Sequence, residues 1–112
     1  MRKIEQRMVA AVRDRRAWHA DNTQVRAFDD GRVEVYLHGH HIATVTTNGM
    51  SFTLAGWNTN TTRSRVNALL REFGPGDSGV TTKLGQTLYF TGWYTEGGRI
   101  ETKITDTEWV KT

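Results

Sequence analysis

Between residues 23 and 57 the chain passes through a series of β-forming stretches separated by tight-turn signals, and no other feature constrains the fold as much. "TQVRAF" reads as a short strand. "DDG" follows as a turn, with Gly31 free to adopt positive φ. "RVEVYL" alternates strictly: Val33, Val35 and Leu37 share one face and Arg32, Glu34 and Tyr36 the other, as the two-residue period of a half-buried strand requires. "HGHH" marks a second turn around Gly39, "IATVTT" is a β-branched strand, and Asn48-Gly49 is the strongest short hairpin signal in the chain. "MSFTLAGW" closes the meander. Short connections of this kind make an antiparallel sheet, because parallel neighbours need long crossovers.

Helical periodicity flanks the meander. Over residues 4–18, Ile4, Met8, Ala11, Val12 and Trp18 recur at helical spacing with charges between them. "HADNT" breaks that pattern, since Asp21 and Asn22 favour turns. A second helix is expected over about residues 62–73, where Val66, Leu69, Leu70 and Phe73 form one apolar stripe. Thr59, Asn60 and Thr61 are its candidate N-caps, and Gly74-Pro75 stops it. "VTTKLGQTLYFTGW" and "RIETKITDTEWV" read as strands joined near Gly97-Gly98. The expected order is α-β-β-β-α-β-β, with room for one further strand. The class is α+β, an antiparallel sheet with two helices packed on one face. The expected organisation is one domain over residues 1–112, with a core at about 4–73 and a C-terminal β-hairpin extension at about 79–112. The sheet's other face is then left partly bare or covered by another chain.

A chain of 112 residues buries roughly two-thirds of its unfolded surface, enough for a core without staples. The absence of cysteine removes disulfides, thiol catalysis and cysteine-based zinc sites. "MRKIEQRMVAAVRDRRAW" is basic, but charges interrupt its apolar residues, so it lacks a signal peptide's apolar stretch. No stretch has the roughly 20 apolar residues of a membrane span. The expected location is cytoplasmic, with no membrane partner. The net charge of +3 is unevenly spread. Arg2, Lys3, Arg7, Arg13, Arg15 and Arg16 outnumber Glu5 and Asp14 near the start. Residues 35–71 hold Arg63, Arg65 and Arg71 but no Asp or Glu. Arginine suits bidentate recognition of phosphates and carboxylates.

Catalytic signals fail on context. "GDSG" at 76–79 resembles the nucleophile stretch of trypsin-like proteases, but Ser78 lacks the double barrel and the partners that stretch needs. His38, His40 and His41 offer three imidazoles, with His19 a possible fourth, yet neighbouring strand residues diverge and no carboxylate is near to orient them. Exposed turn histidines are the expectation, with no metal. Glu101, Asp106 and Glu108 alternate with other residues as a solvated face. No glycine-rich phosphate loop is present. These readings point to a protein that is not an enzyme and takes no cofactor.

"GWNTNTTRSRVNALL" at 56–70 is the most promising stretch. A helix N-terminus presents unpaired N–H groups and partial positive charge. Thr61, Thr62 and Ser64 add hydroxyls there, and Arg63 and Arg65 add charges on opposite flanks of the apolar stripe. The alternative is a capped core helix whose arginines lie along apolar surface.

Residues 4–73 resemble double-stranded-RNA-binding domains in element order, α-β-β-β-α, although the lysine-rich cluster of that family is missing. In that family the second helix reaches phosphates across the major groove. More specifically, "NTQV", "VYLHGHHIATV", "LAGWNTNTTRSRVNALL" and "EWV" resemble a family of small bacteriophage and prophage proteins with the pattern N-T-x-V, L-H-G-x-x-I-A, G-W-x-T-x-T-T-x-S-R-x-N-A-L-L. That resemblance implies a phage accessory protein made in the host cytoplasm.

Two functions are therefore expected. In the first, Thr61, Thr62, Arg63, Ser64, Arg65 and Arg71 hold a nucleic-acid backbone, DNA or RNA, helped by Arg2, Lys3, Arg13, Arg15 and Arg16. In the second, Trp57, Trp93, Tyr94 and Trp109 on an exposed sheet face dock on a host protein complex, as an anti-CRISPR-like or other anti-defence inhibitor would. A self-complementary sheet face would instead make a homodimer.

Overall fold

The computed structural model describes residues 1–92 and 98–112. Its elements run α1 (Lys3–Arg13), β1 (Trp18–Ala20), β2 (Thr23–Ala27), β3 (Val33–Leu37), β4 (His40–Thr46), β5 (Gly49–Phe52), α2 (Asn60–Phe73), β6 (Asp77–Lys83), β7 (Gln86–Gly92), β8 (Arg99–Lys103) and β9 (Val110–Lys111). The class is α+β with antiparallel pairing, built on two sheets. The larger has the order β1-β2-β3-β4-β5-β9 and the smaller β6-β7-β8. Five strands separate the helices, so residues 4–73 depart from the α-β-β-β-α order of double-stranded-RNA-binding domains.

The expected stripes make the core. Met8, Val9, Ala11 and Val12 of α1 and Val66, Leu69 and Leu70 of α2 are buried together with Val25, Val33, Val35, Leu37, Met50 and Phe52 of the larger sheet. Val80 and Tyr89 bring the smaller sheet into the same cluster. Strand alternation holds where expected: Val33, Val35 and Leu37 are buried while Glu34 and Tyr36 face out. Full burial of each such aliphatic side chain contributes roughly 1.5–3 kcal/mol.

α1 ends earlier than the periodicity suggests. Arg15 takes a left-handed φ of 52°. The N–H of Arg16 bonds the carbonyl of Ala11, and that of Arg15 bonds Val12. This is a Schellman stop, usually marked by glycine. An arginine in that place carries no sequence signal, and it frees Trp18 to enter β1, pairing opposite Val25.

The edges of the sheets are managed differently. The Asn67 side chain bonds both the N–H (2.6 Å) and the carbonyl (3.0 Å) of Val80, so α2 covers the free edge of β6. After β8 the chain returns to the larger sheet, where β9 pairs with Ser51 and Phe52 and seals β5.

Candidate functional site

The amino end of α2 is a capped helix start. The Thr59 hydroxyl accepts the N–H of Thr62 at 3.1 Å and shares a 2.9 Å hydrogen bond with the Thr62 hydroxyl, which is buried. The N–H groups of Asn60 and Thr61 make no hydrogen bond among the described residues.

Arg65 does not reach solvent, contrary to its expected role. It is 3 % exposed and paired with Glu5, which is 2 % exposed. Its Nη1 donates to Glu5 Oε2 at 2.8 Å and its Nε to Thr23 Oγ1 at 3.0 Å; its Nη2 donates to Asn22 Oδ1 at 3.4 Å. Ser64 also turns inward and donates to Glu5 Oε2 at 2.6 Å. Burial pushes the Glu5 carboxyl pKa up. The hydrogen bonds from Ser64, Arg65 and the Arg2 backbone, with the Arg65 charge, outweigh that and hold it below its ordinary 4.5. A guanidinium engaged in this way braces α1 against α2 and β2, and its burial keeps it from an outside anion. Thr62, Ser64 and Arg65 are thus framework residues. One signal for this was present in the sequence: Glu5 lies on the same helical stripe as Met8, Val9 and Val12, and a carboxylate on a buried stripe needs a buried cation.

What remains open is the neighbouring face of α2. Asn60, Arg63, Ser64, Asn67 and Arg71 recur at helical spacing and, with Met1, Arg2 and Glu5, line a groove of 430 Å³. Arg2, Arg63 and Arg71 have no carboxylate within salt-bridge distance among the described residues. The groove's own carboxylate, Glu5, is already committed to Arg65. Arg63 is held by the side-chain carbonyls of Asn58 and Asn60, which orient it without neutralising it. Beyond Arg71, a 230 Å³ pocket lined by Asn67, Gly76, Asp77, Ser78, Gly79 and Phe90 continues from the groove. Arg99 lies over the Phe90 ring there, 4.1 Å from its centroid. Of the other expected basic residues, Arg13 is paired with Glu72 and Arg16 with Asp14, while Arg15 is exposed at the helix stop, away from the groove lining.

The aromatic residues do not form one surface. His40 and His41 are successive residues of β4, and they point to opposite sides. Trp57 sits by His40, with ring centroids 5.7 Å apart, and Trp109 by His41 at 4.7 Å. Trp57 borders a 450 Å³ cleft lined by Leu37, His38, His40, Ile42, Leu54, Ala55, Thr59 and Thr61. Trp109 ends a stack on the outer face of the larger sheet, where Arg26 lies over Tyr36 and Tyr36 over His41. Trp93 and Tyr94 lie outside the described residues. His41 points away from His38 and His40, which line the same cleft, and no cluster of metal-ligating side chains occurs among the described residues. Among the same residues no helix is long and apolar enough to cross a membrane.

Fold and site together define a small two-sheet α+β protein with an arginine-lined groove on its helical side and a polar outer sheet face. The model of the Kyanoviridae Gp96 protein family matches residues 1–111, and the chain belongs to that family. No curated protein and no solved structure matches it.

Proposed function

We propose that this phage accessory protein is a non-enzymatic protein that binds nucleic-acid backbone along the groove on α2, with Arg2, Arg63 and Arg71 contacting phosphates. The observation that carries this reading is the set of three guanidinium groups lining one groove with no carboxylate partner among the described residues. Uncompensated cations on one side of a helix are costly to gather by self-repulsion, and a polyanion relieves that. Asn60 and Asn67 add neutral side chains along the same stripe. Such contacts position a protein on a backbone without reading sequence. The test is a binding titration on single-stranded and duplex DNA and RNA at two ionic strengths. Affinity should fall steeply with salt, and Arg63→Ala with Arg71→Ala should flatten the salt slope by about two phosphate contacts. A lack of binding at low salt removes the reading.

The polar outer face of the larger sheet, with Trp109 exposed at its edge, favours a second reading, an inhibitor that docks on a host defence complex. A pull-down from nuclease-treated host lysate separates the two, since a protein partner survives that treatment. Light scattering distinguishes a homodimer formed through the same face.

A further inference from the structure

We infer that the cleft beside Trp57 receives one unpaired base of a single-stranded nucleic acid whose backbone lies in the arginine groove, an inference that rests on the groove reading above. The cleft has a small-ligand volume, 450 Å³, within the roughly 300–1,000 Å³ typical of such sites. Its floor is aliphatic: Leu37, Ile42 and Leu54 are buried core residues. Its wall is aromatic. Trp57 is 56 % exposed, so most of its ring has no protein partner, and His40 is tilted 36° against it. Its mouth is polar. Thr61 lines it, and the N–H groups of Asn60 and Thr61 are unbonded among the described residues. An apolar slot with one open aromatic face and a few donors at its rim suits a planar heterocycle better than an aliphatic chain, which would leave those donors unpaired.

The charge beside the cleft selects the kind of heterocycle. Arg63 is bonded to Asn58 and Asn60, the chain neighbours of Trp57, Thr59 and Thr61. Asn60 lines the groove with Arg63, while its chain neighbours Thr59 and Thr61 line the cleft; consecutive residues stand about 3.8 Å apart. The first turn of α2 thus has an anion-binding groove on one side and a base-sized slot on the other, the two requirements of a nucleotide within a strand. A duplex keeps its bases stacked and paired and cannot fill the slot. Single strands can splay a base out at little cost.

The test compares a short thymidine strand with a strand of the same length and backbone that lacks bases, both at low salt. Wild-type protein should bind the base-bearing strand roughly tenfold more tightly, with quenching of tryptophan emission. Trp57→Ala should abolish both the preference and the quenching while keeping the affinity for the abasic strand. Trp57→Phe should retain most of the preference. Because Trp57 is exposed, neither change threatens the core, and a circular dichroism spectrum verifies folding. Equal affinity of the wild-type protein for the two strands overturns the cleft assignment and leaves the groove standing. Binding of neither strand overturns the groove and the cleft with it. Emission unchanged by either bound strand also overturns the assignment, as it would if the slot serves an aromatic side chain of a protein.

Discussion

Replacing Glu5 with alanine tests the distinction between framework and site most directly. The change removes the acceptor for Ser64 Oγ at 2.6 Å and Arg65 Nη1 at 2.8 Å, and for the Arg2 N–H at 3.4 Å. Arg65 is then left buried with only the neutral oxygens of Thr23 and Asn22. Breaking a buried pair by deleting one partner costs roughly 3–5 kcal/mol, chiefly the uncompensated charge. A chain of 112 residues has a total stability of about 6–17 kcal/mol at typical values per residue. The loss is therefore a large fraction of the whole, equivalent to roughly 15 °C in melting temperature. Urea denaturation followed by circular dichroism should show a lower midpoint with an unchanged slope. The gap also depends on pH. Because the folded Glu5 pKa lies below 4.5, its stabilisation is complete above that value and lost as pH falls through the folded pKa. The difference between wild type and variant should be full at neutral pH and shrink below 4.5. A loss under about 1 kcal/mol, the size expected of an exposed pair, would refute the reasoning, as would a gap independent of pH. As a companion, Glu5→Leu with Arg65→Met should fall within about 2 kcal/mol of wild type, since an apolar pair of similar volume often substitutes for a buried ion pair.

Three further outcomes are expected. Thr59→Ala should destabilise by about 1 kcal/mol through loss of the α2 cap, measurable by the same denaturation. Asn67→Ala should cost about 1–3 kcal/mol, because the N–H and carbonyl of Val80 lose their partner together; hydrogen exchange at Val80 should accelerate. Leu84→Asn should stabilise by about 1 kcal/mol, since Leu84 is 97 % exposed and held at a left-handed φ of 52° that asparagine tolerates better.

The parts of this fold that depend on local chemistry were legible in the sequence. The strict alternation of residues 32–37, the Gly39 turn and the apolar stripe at Val66, Leu69 and Leu70 all appear as read, and the cap is Thr59, one of the three candidates. The parts that depend on distant partners were not. Nothing near Asn67 announces that its amide serves β6, and nothing near Val110 announces that it pairs with Phe52. Arg65 shows the limit best. Its sequence neighbours place it beside the stripe, and a basic residue there usually extends to water. Its burial follows from Glu5, 60 positions earlier on another helix. The groove was half legible: Arg63 and Arg71 were read as basic, but the polar stripe through Asn60 and Asn67 that joins them emerges only when α2 is seen from the side its core does not use.

The late return of β9 has a consequence for synthesis. Every strand of the larger sheet up to β5 emerges from the ribosome before α2 and the smaller sheet, yet the strand that closes β5 comes after both. Until it arrives, the nascent sheet carries a row of unpaired backbone groups along Ser51 and Phe52, open to pairing with a neighbouring chain.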